Sequence, residues 1–247
     1  TSGAVQRSVL DTVRALEDGA KQSIQLVAVC ACAGIIVGVL GLTGLGGRFA
    51  AMILAIAGDS QFLALGFAML ISLLLGMGMP TTAAYAIAAA VVAPGLQRIG
   101  IEPLTAHMFV FYYAVISAIT PPVALAAFAA AAMAQSDPWK TSFESMRYGI
   151  AAFIVPFMFF YNPEILMKGS EIAIVQVFGT SVLGIYLLAL GSEGWLRGPI
   201  SWPLRAVLWV GAFCLVSGSW TLDLVGLGLG AGVIAWQYLR PRAQPAT

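Results

Sequence analysis

The chain is 247 residues long, 60% hydrophobic and only 9% charged, and its 12 Lys and Arg against 11 Asp and Glu leave a formal net charge of +1. Soluble domains carry roughly a quarter charged residues, so water is not this chain's main solvent, and a near-neutral balance offers no long-range field to steer nucleic acid. The three cysteines, Cys30, Cys32 and Cys214, sit inside apolar runs without paired spacing and read as small helix residues, not as a metal or redox centre.

Residues 1–21 set Arg7, Arg14 and Lys21 among Asp11, Glu17 and Asp18, with Val9, Leu10, Val13 and Leu16 at helical spacing. An amphipathic segment able to lie on the membrane surface is expected there. No cleavage pattern follows the first apolar run, which is therefore expected to stay in the membrane.

No charge occurs from Gln22 to Gly47 or from Ser60 to Gln97, and from Pro103 to Ser136 only His107 could carry one. A helix crosses about 30 Å of hydrocarbon with about 20 residues. The second and third stretches exceed one crossing, so each must hold a broken helix or a pair of segments. The first span runs from Ser23 to Leu42; Gly44, Gly46 and Gly47 interrupt it before a short apolar piece, Phe49 to Ala57. Asp59 to Gln61 turn the chain. Phe62 to Leu75 lead to a break at Gly76-Met77-Gly78-Met79-Pro80-Thr81-Thr82, after which Ala83 to Val92 continue and end at Pro94-Gly95, before Arg98.

Leu104 to Met133 is mostly apolar and is cut by Thr120-Pro121-Pro122. Consecutive prolines remove two backbone donors and bar helical geometry just before them, so the helix must open, with the next one beginning near Pro122. A polar loop is expected from Gln135 to Arg147, then a span from Tyr148 through Phe160 to Met167, then crossings at Ile172–Leu190, Leu204–Val216 and Leu222–Leu239. Only Ser217 to Thr221 separate the last two, which predicts a tight hairpin. Gly179, Gly184, Gly191, Gly226, Gly228 and Gly230 supply small faces for close helix packing. Trp195, Trp202, Trp209, Trp220 and Trp236 cluster in the last third, several near helix ends, as interfacial aromatics do. Arg240 and Arg242 suggest a cytoplasmic C-terminus.

Backbone N–H and C=O groups left open in hydrocarbon cost several kcal/mol each, so a break at membrane depth survives only inside protein or beside a polar cavity. At each break a half-helix N-terminus presents free N–H groups and about half a positive charge. The preceding half-helix ends in free carbonyls, which together with threonine hydroxyls can coordinate a small hard cation such as Na⁺. That pairing can bind an anion and a cation side by side without a charged side chain in the membrane. His107 reads as an interfacial helix-end residue, and Phe109, Phe111, Tyr112 and Tyr113 as helix packing. There is no nucleophile elbow, no HExxH and no paired intramembrane carboxylate, so an enzyme is not expected.

The string from Gly76 to Tyr85, then Ala93-Pro94, Gly100, Ala106-His107-Met108-Phe109-Val110-Phe111-Tyr112 and Ser117-Ala118-Ile119-Thr120-Pro121-Pro122-Val123-Ala124, closely resembles the large membrane subunit of tripartite ATP-independent periplasmic (TRAP) transporters. More narrowly it resembles the fused permeases of the TAXI branch, as do Gly34-Ile35-Ile36-Val37-Gly38-Val39 and Leu42-Thr43-Gly44-Leu45-Gly46. The resemblance implies an all-α, multi-pass protein of the bacterial inner membrane. It also implies a sodium-coupled elevator that imports a small organic acid delivered by a periplasmic solute-binding protein.

Such permeases hold two inverted repeats, each with a re-entrant hairpin and a discontinuous helix, and one set is found here. The chain therefore resembles a C-terminal half, with a transport repeat at 22–168 and a helical extension at 169–247. An N-terminal half and a small membrane subunit are the implied partners. By the same resemblance Gly76, Gly78, Thr81 and Thr82 lie at the hairpin tip and Ser117, Thr120, Pro121 and Pro122 at the helix break. Thr82 and Thr120 are the implied Na⁺ ligands; no other cofactor is implied. The rival readings are a non-transporting membrane scaffold or assembly subunit, and a channel, which the scarcity of polar residues on the spans disfavours.

Overall fold

The computed structural model describes residues 2–58 and 60–239, with side chains described from residue 11 onward apart from eight positions between 22 and 57. The expectations placed on Asp59, Arg240 and Arg242, and on the side chains of Arg7, Val9 and Leu10, lie outside the described residues. Among the described residues the regular structure is helical, with a single isolated bridge between Trp195 and Pro199. Two helices, Glu171–Glu193 and Trp220–Leu239, are long and apolar enough to cross a membrane, and a bent pair, Pro138–Tyr148 with Ile150–Tyr161, makes a third candidate. The chain is a helical membrane protein. Its many exposed large apolar side chains, such as Ile35, Leu42, Ile172 and Val175, face what is hydrocarbon in a bilayer.

Helix α1 spans Ser2–Thr43 and α2 Leu45–Ala57, joined at Gly44, whose φ of +64° is a conformation that favours glycine. The expected boundary after residue 21 is not a break: α1 passes through it unbroken, because nothing between Gly19 and Ser23 removes a backbone donor. Helix α3 (Gln61–Gly76) starts at Ser60, whose hydroxyl accepts from Leu63 N at 3.4 Å. After a short tip, α4 (Thr81–Arg98) returns beside it.

Helix α4 does not end at Pro94-Gly95 as expected; it runs on through both residues to Arg98. The bond that proline deletes is the one to the carbonyl of Ala90. Gly46 of α2 lies against that carbonyl: a Cβ added to Gly46 would stand 2.7 Å from Ala90 O. Close packing by a residue without a side chain thus covers the freed acceptor, and the helix persists.

Helix α5 (Pro103–Ile116) continues into a 3-10 turn, Ser117–Ile119, and the chain then opens. The next helix, α6, is Leu125–Ala134, three residues later than the expected start near Pro122. Thr120 is extended (φ −102°, ψ 125°), as a residue before proline tends to be, and the Pro121–Pro122 bond is cis.

The segment Gln135 to Arg147 is not a loop. Gln135 caps α6 in the left-handed region, and Asp137, accepting from Lys140 N at 2.9 Å ahead of Pro138, starts α7 (Pro138–Tyr148). Nor is Tyr148 to Met167 one span. It divides into a 3-10 turn (Ile150–Phe153), a seven-residue helix α8 (Val155–Tyr161) and a second 3-10 turn (Pro163–Leu166), with a bend of 61° between α7 and the segment after it.

The last three helices follow the sequence reading: α9 (Glu171–Glu193), α10 (Trp202–Val216) and α11 (Trp220–Leu239), with α10 and α11 forming the tight hairpin. Gly184, Gly211 and Gly226 let backbones approach closely, a Cβ on Gly226 meeting Gly211 O at 2.6 Å, while Gly191 and Gly230 make room for the side chains of Trp209 and Leu187. Gly179 and Gly228 do not take part, since nothing described lies within 4 Å of a Cβ there.

Two apolar cores result. Leu65, Ala68, Val91, Leu96, Phe109 and Tyr113 join α3, α4 and α5, and Leu187, Leu208, Ala212, Leu215 and Val233 join α9, α10 and α11. Residues 150–161 bridge them: Phe153 and Phe157 pack on the first core, Ala151 and Ile154 on the second.

Candidate functional site

The site is built where the two interrupted segments meet. Helix α3 ends at Gly76, and Gly76 is packed so tightly on the α5 break that an added Cβ would stand 2.5 Å from Ser117 Oγ and 3.1 Å from Ala114 O. Two residues on, Gly78 (φ +78°) turns the tip, and a Cβ there would meet Val123 Cγ1 at 3.5 Å. The two glycines therefore have separate reasons: Gly78 for its backbone conformation, Gly76 for the absence of a side chain.

Thr81 begins α4 and Leu125 begins α6, so both half-helix N-termini lie within three residues of the Gly78–Val123 contact. Neither start has a side-chain cap. The first intrahelical bonds are Ala84 N to Pro80 O (3.0 Å) and Phe128 N to Ala124 O (2.8 Å), which leaves the initial N–H groups of each helix without a helical acceptor. Each helix start thus carries donors without an acceptor in its own helix, with the positive end of that helix behind them, and the two starts lie on either side of the Gly78–Val123 contact.

The oxygens of the broken helix are arranged differently. Ser117 and Thr120 are buried, and each hydroxyl donates back to its own helix: Ser117 Oγ to Ala114 O at 2.6 Å and Thr120 Oγ1 to Ile116 O at 2.9 Å. A hydroxyl whose proton is committed in this way keeps its lone pairs for another partner, such as a cation. Thr120 N donates to Ser117 O at 3.2 Å, closing the 3-10 turn. Ser145 of α7 reaches Ile119 O at 3.3 Å and so ties α7 to the break.

At the tip Thr81 and Thr82 are exposed, and Thr82 Oγ1 lies 3.7 Å from Cys30 Sγ of α1. Pro121 is partly buried and Pro122 exposed. The eight residues expected at the site thus fall on two facing segments. Gly76, Gly78 and Ser117 take part in the contacts between those segments. Thr81 and Thr82 stand at the open helix start, and Thr120, Pro121 and Pro122 form the opening itself. Sequence reasoning missed Cys30, Ala114 and Ser145, all of them ordinary helix residues by local pattern.

His107 is not at a helix end; it lies in the second turn of α5, partly buried, with Nδ1 3.0 Å from Tyr85 OH. The aromatic group packs helices as expected: Phe109, Tyr113 and Phe157 meet edge to face, and Tyr113 OH donates to Phe153 O at 2.6 Å. Among the described residues no group of three or more His, Cys, Asp or Glu stands together. A cation bound here would have neutral oxygens as ligands.

The fold and this pair of facing breaks define a helical membrane protein in which two interrupted segments pack on one another. The family model described as the DctM component of the tripartite ATP-independent periplasmic transporter matches residues 5–174, more than two thirds of the chain, and the protein belongs to that family of transporter permease components. No curated protein and no solved structure matches the chain. The match ends at the start of α9, so almost all of α9 and the whole of α10 and α11 lie beyond it.

Proposed function

We propose that this chain forms part of a sodium-coupled importer of a small organic acid, one transport repeat of a TAXI-type permease in the bacterial inner membrane. A periplasmic solute-binding protein delivers the substrate, and an N-terminal half and a small membrane subunit complete the permease. The reading rests on membership of the TRAP permease family and on one observation above all: the hairpin tip at Gly76–Gly78 packs directly on the break at Ser117–Val123.

The open N–H groups at Thr81 to Ala83 and at Leu125 to Ala127 suit a carboxylate, whose charge the two helix starts stabilise. The hydroxyl oxygens of Thr120 and Ser117 suit Na⁺, with Thr82 added from the tip. Side-by-side sites couple the two solutes, because each ion lowers the electrostatic cost of the other. No acid–base chemistry is required of any side chain.

The test is uptake of candidate organic acids into vesicles holding the permease that contains this chain, with its binding protein, in the presence and absence of an inward sodium gradient. Uptake that follows the gradient supports the reading. A membrane insertion without any solute flux, whatever the gradient, favours the scaffold role instead.

A further inference from the structure

The three C-terminal helices are largely apolar, yet they bury a carboxylate. Asp223, in the first turn of α11, is 3% exposed. Its Oδ2 accepts from Gln176 Nε2 of α9 at 3.0 Å, whereas Oδ1 is enclosed and accepts no hydrogen bond. Among the described residues the ion pairs are Lys21–Glu17, Arg147–Glu144 and Lys168–Glu102, and none reaches Asp223. Gln176 and Asp223 both lie beyond the DctM match, which ends at residue 174.

A buried carboxylate needs its charge balanced. The start of α11 brings a partial positive charge to Asp223. Gly226, one turn further on, rests on Gly211 and Leu215, so the negative end of α10 lies beside the same carboxylate. The two opposed helix ends largely cancel. A basic side chain from another subunit does not reach Oδ1, because that atom is enclosed by this chain.

Helical register identifies the oxygens at this level. Helices α9 and α11 both run opposite to α10 and therefore parallel to each other, and Gly230 of α11 rests on Leu187 of α9, 2.5 Å from an added Cβ to Leu187 Cδ1. Seven residues before Gly230 is Asp223, and seven before Leu187 is Thr180, about 10 Å along each axis and on the same face. Thr180 therefore stands level with Asp223. Gln176, one turn before Thr180 on that face, confirms the register by reaching Oδ2. Thr180 Oγ1 donates to Val177 O at 3.2 Å and keeps its lone pairs. The amide nitrogen of Gln176 is committed to Oδ2, which leaves its carbonyl oxygen as an open acceptor.

We propose that Asp223 Oδ1, Thr180 Oγ1 and Gln176 Oε1 bind a monovalent metal cation, Na⁺ in a sodium medium, inside the C-terminal helices. Hard oxygen ligands suit such an ion. One carboxylate against one unit of positive charge leaves the site neutral in apolar surroundings, whereas a divalent ion would leave it positive. The ion joins α9 to α11. The site is separate from the Thr82–Thr120 locus and stands or falls independently of it.

The test is amide hydrogen exchange of the full chain in NaCl and in choline chloride of equal ionic strength. A ligand bound only by the closed helices slows exchange through local opening by the factor 1 + [L]/Kd, about tenfold at ten times Kd. Residues 176–184 and 220–227 should show that slowing in sodium. Asp223→Asn should abolish it, and Thr120→Val should leave it unchanged. Thr180→Val, which keeps the carboxylate, should need about tenfold more sodium for the same slowing, the loss of one contact to a charge. Equal exchange in the two salts, the result that a proton on Oδ1 gives, overturns the proposal. So does slowing of undiminished size in Asp223→Asn, or at unchanged sodium concentration in Thr180→Val.

Discussion

Gly76 and Ser117 are in contact across the two interrupted segments, with room for a hydrogen but not for a methyl group between them. A Cβ at Gly76 would displace the Ser117 side chain, whose hydroxyl is held by Ala114 O at 2.6 Å, or push the hairpin off the break. Gly76→Ala is therefore expected to cost about 1–3 kcal/mol through overpacking. Gly66→Ala in the same helix, where nothing lies within 4 Å, should be neutral or slightly stabilising. Unfolding midpoints of the two variants in detergent check the contrast, and transport should fall only in Gly76→Ala.

Gly46 and Pro94 are expected to be coupled. Pro94 leaves the Ala90 carbonyl without its helical donor, and Gly46 sits on that carbonyl, so Gly46→Ala should cost about 1–3 kcal/mol. Pro94→Ala restores the donor and draws the carbonyl back toward the helix axis. The double variant should then lose less stability than the sum of the two single ones, a coupling of at least about 0.5 kcal/mol in a double-mutant cycle.

Asn162 joins the bridging segment to the C-terminal helices. Its Nδ2 donates to Val216 O, and both residues are buried. Asn162→Leu leaves the carbonyl of a buried residue without this partner, so a loss of about 1–3 kcal/mol is expected. Limited proteolysis should then release the C-terminal helices α9–α11 from the rest of the chain sooner than in the parent protein, and equal release rates would show that the link is not what holds them.

Much of the architecture was legible because it follows from what hydrocarbon permits. Long uncharged stretches, the Gly-Pro-Thr string at 76–82 and the double proline at 121–122 placed both breaks and the last three helices. What escaped depends on contacts made at long range in the sequence. Pro94 reads as a stop, yet Gly46, far upstream, covers the acceptor it frees. The segment 135–147 reads as a loop on polarity, although Asp137-Pro138 is a local helix-start signal that composition outweighed. The meeting of Gly76 with Ser117, and of Thr82 with Cys30, has no trace in spacing, because the first arises only when α3 packs on α5 and the second only when α1 packs on α4. Within the site, local pattern identified the residues that open the backbone and was silent on those that pack against the opening.

Ser145→Ala tests whether α7 steadies the break. Its hydroxyl reaches Ile119 O at 3.3 Å and also Ser142 O at 3.1 Å, a shared and hence weak bond. The expected loss of stability is small, about 0.5 kcal/mol. Faster amide hydrogen exchange at residues 117–120, with exchange in α9 unchanged, is the result to look for.

The most direct measurement of the ion-binding claim is the thermal unfolding midpoint of the purified chain in NaCl and in choline chloride of equal ionic strength, for the parent protein and for Thr120→Val and Thr82→Val. A ligand that binds only the folded state raises stability by RT ln(1 + [L]/Kd), about 2.7 kcal/mol at a hundredfold excess over Kd. A midpoint higher in sodium than in choline for the parent, with the difference reduced or lost in both valine variants, is what paired hydroxyl ligands at the two breaks require. Identical midpoints in the two salts, or a sodium effect that both variants retain in full, would contradict it.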